Sequence, residues 1–153
     1  MTAQNKLQKG FTLIELLVVI GILAVLLSLV LIAINPSRQF QQANDTKRSS
    51  DVNAILNAIH QYAVDNSGSL PTGITTSAQN ISTGGANICA ALVTRYMAAL
   101  PTDPTATAAG APVTNCGAAY DTGYTVLSSA TDNRVTVTAP NTQISTTDIS
   151  VTR

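Results

Sequence analysis

Hydrophobic and polar positions divide the chain into successive stretches of different character. From Phe11 to Ile34 there are 24 residues, and the polar ones are Thr12, Glu15 and Ser28, with Gly21 as the one helix-weak position. At ~1.5 Å of rise per residue, a helix of that length is roughly 36 Å long, enough to cross a bilayer's hydrocarbon core with some tilt. Beyond it, from Gln39 to about Asn66, the pattern becomes amphipathic. Val52, Ile55, Leu56, Ile59, Tyr62 and Ala63 fall at i, i+3, i+4, i+7, i+10 and i+11, one face of a 3.6-residue helix. Asn66-Ser67-Gly68, followed by Pro71, is the stop signal, because glycine takes the left-handed cap and proline cannot continue the helix.

The junction at Asn35-Pro36 has two readings. Either Pro36 kinks one long helix, or the helix restarts with Asn35 as N-cap and Pro36 in the first turn. Residues 67–86 are rich in Ser, Thr, Gly and Asn without periodicity and read as a surface loop. Ile88, Ala91, Leu92, Tyr96 and Ala99 have near-helical spacing and predict a short second helix over Asn87–Leu100, ended by Pro101. Residues 105–119 carry little pattern. Tyr124–Ser128 and Arg134–Thr138 alternate as strands about a Thr131-Asp132-Asn133 turn, and Ile144–Val151 predicts a third, weaker strand. The expected fold class is α+β: a long N-terminal helix packed against a small antiparallel sheet, with Val135 and Val137 facing the helix.

Composition changes this picture modestly. The 153 residues make one small domain plus the apolar segment, with zero net charge and only 10% charged residues. No overall basic field advertises nucleic acid. With no tryptophan, the core must be built chiefly from aliphatic side chains. The leader 1–10 carries Lys6 and Lys9 and no acid, which holds it on the cytoplasmic side of a membrane. Glu15 is the anomaly, since a carboxylate inside an apolar span needs a partner or a functional reason.

The stretch Lys9-Gly10-Phe11-Thr12-Leu13-Ile14-Glu15, running on through the apolar segment, resembles the N-terminal signature of type IV prepilins and the related pseudopilins of type II secretion systems. The resemblance covers about 25 residues, so it identifies the superfamily better than the individual system. It implies a pilin fold with four parts: 1–10 a cleaved leader, 11–34 a membrane and filament-core helix, 35–66 an amphipathic spine, and 67–153 a small globular head. It further implies cleavage by a prepilin peptidase between Gly10 and Phe11, N-methylation of Phe11, and polymerisation into a helical filament by assembly machinery in the inner membrane. The product would be a single-pass membrane protein before assembly, and afterwards an extracellular filament or a periplasmic pseudopilus. Glu15 lies at i+4 from Phe11, one turn away on the same face. It is therefore the expected assembly residue, pairing with its own or a neighbour's new amine. Many pilins carry their helix-bending proline where this chain has Ile32. The phrase Leu100-Pro101-Thr102-Asp103-Pro104 resembles a stretch of pseudopilins and minor pilins.

Two tasks stay open on these residues: a type IV pilus-like subunit, and a pseudopilin of a type II secretion system. A membrane-anchored binding module that never polymerises is the rival from another class. No catalytic motif is legible. His60 sits beside the apolar stripe as a boundary residue, and no phosphate loop, Gly-x-Ser-x-Gly or His-Glu-x-x-His occurs. The chain is read as a structural protein without enzyme activity or cofactor.

Cys89 and Cys116 lie on the side expected to be outside the cytoplasm, where a disulfide forms and persists. Bridging them closes a loop of 27 residues, worth roughly 3 to 4 kcal/mol by loop entropy. The alternative is two thiols packed as small apolar residues. Asp103, Asp121 and Asp132 invite a calcium reading, but they are scattered along the chain and calcium wants six to eight oxygens close together; they read as turn residues, with no metal expected. Arg38, Lys47, Arg48, Arg95, Arg134 and Arg153 are the cations a DNA contact would use, and no nucleic acid is expected. Lys47 is spaced to pair with Asp51, and Arg48 with Asp45. Both pairs are expected on an exposed face, for ~0.3–0.5 kcal/mol each.

Overall fold

The computed structural model describes residues 10–106 and 110–153. Most of the leader, including Lys6 and Lys9, lies outside the described residues. The chain forms two compact units, the first ending at Gln39 and the second spanning Phe40–Arg153. The order of elements is α1 (Leu13–Ile34), α2 (Pro36–Asp65), β1 (Gln79–Ser82), α3 (Cys89–Leu92), β2 (Asp121–Ser128), β3 (Val135–Ala139) and β4 (Ile149–Thr152).

Pro36 begins a helix and does not kink one. Asn35 closes α1 in the left-handed region, with φ 41°. Its side-chain Oδ1 accepts a hydrogen bond from the Arg38 amide at 3.4 Å, and Pro36 occupies the first position of α2, where its missing N–H costs nothing. At its far end α2 stops as expected. Ser67 and Gly68 both take positive φ, and the Gly68 amide reaches back to the Ala63 carbonyl at 2.8 Å.

In the second unit the apolar stripe of α2 meets one face of the sheet. Val52, Ile55, Leu56 and Ile59 are buried in one cluster with Ile81, Leu92, Leu100, Tyr124, Val126, Val135 and Val137. The sheet has four antiparallel strands in the order β1-β2-β3-β4. In β3 the buried positions are Val135, Val137 and Ala139, with Thr136 and Thr138 between them half-buried, the period of two that a one-sided sheet requires.

The structure corrects three expectations. The sheet has four strands instead of three: β1 lies inside the stretch 67–86 read as loop, and Ile81 is the buried residue of that strand. The helix expected over Asn87–Leu100 is one turn, Cys89–Leu92. Past it Thr94 takes φ 75° and donates its amide to the Met97 carbonyl at 2.8 Å, a tight reversal no helix accommodates. The last strand is Ile149–Thr152 and not Ile144–Val151, because the amides of residues 143–145 bond to α2 instead of to β3.

Candidate assembly site and the charged hub of the globular unit

At the start of α1, Thr12 is the N-cap residue, in extended backbone geometry (φ −79°, ψ 152°). A reciprocal capping box closes the turn. Thr12 Oγ1 accepts from the Glu15 amide at 3.3 Å, and Glu15 Oε2 accepts from the Thr12 amide and hydroxyl, each at 2.8 Å. Gly10 and Phe11 are exposed directly ahead of this cap. None of the side chains of α1 is buried, although the helix is long and apolar enough to cross a membrane. A helix hydrophobic on every face demands an apolar surrounding, and the carboxylate of Glu15 sits in its first turn.

The second unit carries charge where charge is least expected. Arg48 is fully buried, and its guanidinium makes a fork to Asp103: Nε to Oδ2 at 2.7 Å and Nη2 to Oδ1 at 3.0 Å. Nη1 reaches Asp45 at 2.8 Å, and Nη2 also reaches the Thr105 hydroxyl at 2.8 Å. Asp103, itself buried, accepts in addition from the Thr105 amide at 2.7 Å and hydroxyl at 2.6 Å. Gly123 is required beside it: the backbone there has φ 75°, and a Cβ would stand 2.9 Å from Asp103 Cβ. The pair of Arg48 with Asp45 is thus present, but the exposed-face reading was incorrect, because the main partner lies 55 residues away in sequence. The Lys47–Asp51 pair forms at 2.8 Å, and Tyr124 donates to the same carboxylate at 2.8 Å.

The ionisation of these groups follows from their neighbours. Burial pushes the Asp103 carboxyl up, but Arg48 and the two donors of Thr105 outweigh it and hold its pKa below the ordinary 3.8. Asp45 is governed the same way: partial desolvation raises it, while the amides of Ile144, Gln143 and Ser145 and the guanidinium of Arg48 bring it below 3.8.

Cys89 and Cys116 are joined in a disulfide with their Cα atoms 5.4 Å apart. The Cys89 amide donates to the Tyr120 hydroxyl at 3.3 Å. The carboxylates weighed as calcium ligands hold loops. Asp121 accepts from the Gly123 amide at 2.9 Å and Asp132 from the Arg134 amide at 3.3 Å, while Asp103 faces Arg48. Among the described residues no three His, Cys, Asp or Glu side chains come together as a metal site would need. Of the cations a nucleic acid would use, Arg48, Lys47 and Arg95 are paired with acids, and Arg153 donates to Asn57 at 2.7 Å.

Residues 5–31 match the family model of the prokaryotic N-terminal methylation motif, which spans the capped start of α1 and most of its apolar length. This match and the relatives below support a likeness to the type IV prepilin and pseudopilin superfamily. Its curated relatives include the type II secretion system core protein G of Aeromonas hydrophila, 41% identical over 63 residues, or 41% of this chain and 43% of the relative. The protein of the same name from Escherichia coli (strain K12) is 42% identical over 66 residues, 43% of each chain. The chain therefore spans under half the length of the curated relatives it matches. No solved structure matches it. A long apolar N-terminal helix and a small antiparallel sheet make an α+β chain consistent with a pilin fold. The Arg48–Asp103 hub was missed by sequence reasoning. One signal was available: Arg48 lies four residues before Val52, on the buried stripe extended by one turn.

Proposed function

We propose that this chain is a pseudopilin, a structural subunit of a type II secretion filament, cleaved between Gly10 and Phe11 and methylated on Phe11. The observation that carries the reading is α1, an entirely exposed apolar helix with a single carboxylate in its first turn. The curated relatives are named for type II secretion and favour that task over a surface pilus. In this reading residues 1–10 are the removed leader, 11–34 anchor the subunit and later form the filament core, 35–66 form the spine, and 67–153 the head. The bilayer shelters α1 before assembly, so moving it into a filament gains little hydrophobic free energy. Helix packing and the pairing of Glu15 with the new amine then have to supply the specificity. Prepilin peptidase and the inner-membrane assembly machinery are the partners this requires, and the assembled product is a periplasmic pseudopilus.

The test is deletion of the gene in its native host. Enzymes normally released outside the cell should accumulate in the periplasm and return to the medium when the gene is restored. Unchanged secretion with loss of surface fibres would instead assign the chain to a type IV pilus.

A further inference from the structure

At the start of β2 the second unit holds a cleft of about 740 Å³, within the range of small-molecule sites. Three exposed side-chain amides line it, those of Asn80, Asn115 and Asn141. Among the described residues, Asn80 and Asn141 make no side-chain hydrogen bond, and Asn115 uses only its Oδ1, which accepts from the Gly117 amide at 3.0 Å. Asp121 likewise accepts the Gly123 amide on Oδ1 at 2.9 Å and keeps Oδ2 for another donor. Tyr120 is fixed through its hydroxyl, which donates to Asn87 Oδ1 at 2.9 Å and accepts from the Cys89 amide at 3.3 Å. The wall from Pro112 to Ala119 is held as well. Leu100 and Val113 exchange two backbone hydrogen bonds, at 2.9 and 2.8 Å, and Cys116 is bridged to the buried Cys89. Ala118 and Ala119 bring only methyl groups into the lining, which leaves its space open.

We infer that this cleft is a binding site for a neutral saccharide. Charge decides against the alternatives. Among the described residues that line the cleft there is no Lys, Arg or His, so nothing balances a phosphate or a ligand carboxylate. Asp121 is the single carboxylate there, too few for calcium, which takes about six to eight oxygens. One aromatic ring, Tyr120, does not make the cage that an organic cation fills. What the cleft offers is amide groups not used within the domain, one carboxylate oxygen and the ring of a tyrosine. A side-chain amide donates and accepts at once, as neighbouring hydroxyls on a sugar ring require, and the carboxylate oxygen takes the stronger charge-assisted bond. The tyrosine ring and the alanine methyls suit the C–H face of a pyranose. Both walls are tied before any ligand arrives, which lowers the ordering cost of binding. Such a site belongs to the globular unit and stands whether or not the chain polymerises.

The test presents the full-length chain, in a detergent without a sugar headgroup, to an array of neutral and acidic oligosaccharides. Neutral oligosaccharides should be held above background, and the tightest of them, titrated in solution, should shift the amide resonances of Asn115, Tyr120 and Asp121. Asn80→Ala and Asp121→Ala should each weaken that binding at least about tenfold, the effect of a ligand hydrogen bond lost. Ala119→Trp fills the cleft from an exposed position. It should abolish binding while leaving the disulfide and the thermal unfolding midpoint unchanged. No neutral oligosaccharide bound, binding that follows negative charge, or binding that survives both Asn80→Ala and Ala119→Trp would overturn the saccharide site.

Discussion

Replacing Arg48 with methionine is expected to lower the stability of the globular unit by about 3 to 5 kcal/mol, the cost typical of removing one partner from a buried ion pair. The arginine is fully buried and so is Asp103, so the variant leaves a carboxylate without its guanidinium and without access to water. The loss should also spread through the hub. Arg48 bonds Asp45, Asp103 and Thr105 at once, so the loops after Leu100 and after Ala139 are both loosened. Urea unfolding of the full chain in detergent reads the change. Replacing Arg48 and Asp103 together by apolar residues of similar size should recover much of it, because then no buried charge is left uncompensated. A loss below about 1 kcal/mol in the single variant would mean that the pair behaves as a solvated surface bridge. The same hub sets an acid limit. Asp103 and Asp45 both have folded-state pKa values below the ordinary 3.8. Their contribution is therefore complete above the unfolded value and is lost as the pH falls from there through the lowered folded values. Arg48→Met should flatten stability against pH in that window and leave it unchanged in shape near neutrality.

Glu15→Ala should leave cleavage at Gly10-Phe11 intact and reduce filament recovery at least about tenfold, as expected for losing one member of a desolvated charge pair. The competing explanation is local, since Glu15 also closes the capping box with Thr12. Thr12→Val separates the two. It removes the hydroxyl of the cap but keeps the carboxylate, so assembly should survive it if pairing with the amine of Phe11 is what matters. Equal loss in both variants would make Glu15 a helix cap and remove its role between subunits. Processing and assembly are read from the same culture, by the size of the membrane-bound chain and by its amount in the sheared fraction.

How far the sequence could be read depended on whether the determining interaction was local. The apolar run of α1 was legible because a run of apolar residues needs no partner to be recognised, whereas its cap at Thr12 was not read and its end at Asn35 was left open between a kink and a restart. The buried stripe of α2 was equally plain in its spacing, and β3 in its alternation of valine and threonine. What failed was decided at long range. Ile81 is one apolar residue in a polar stretch, and β1 exists because β2 offers it a ladder, with Asn80 opposite Thr125. The turn at Thr94 demands a positive φ that its neighbours impose and its own β-branched side chain argues against. Arg48 looked like half of an i, i+3 surface pair, and nothing near it in sequence announces that Asp103 completes the site. Ile144 alternates like a strand residue, yet Asp45 captures its amide first. The processing junction and Glu15 were singled out because they lie in one contiguous motif, while the hub and the loop clamp unite residues 55 and 99 positions apart.

The intact mass and N-terminal peptide of this chain, taken from a sheared-filament fraction, test the central claim most directly. The account predicts a chain that begins at Phe11, carries one added methyl group, and is recovered in fibres. A chain that begins at Met1 or Thr2 and stays with the membranes would contradict it, leaving an anchored module that does not polymerise.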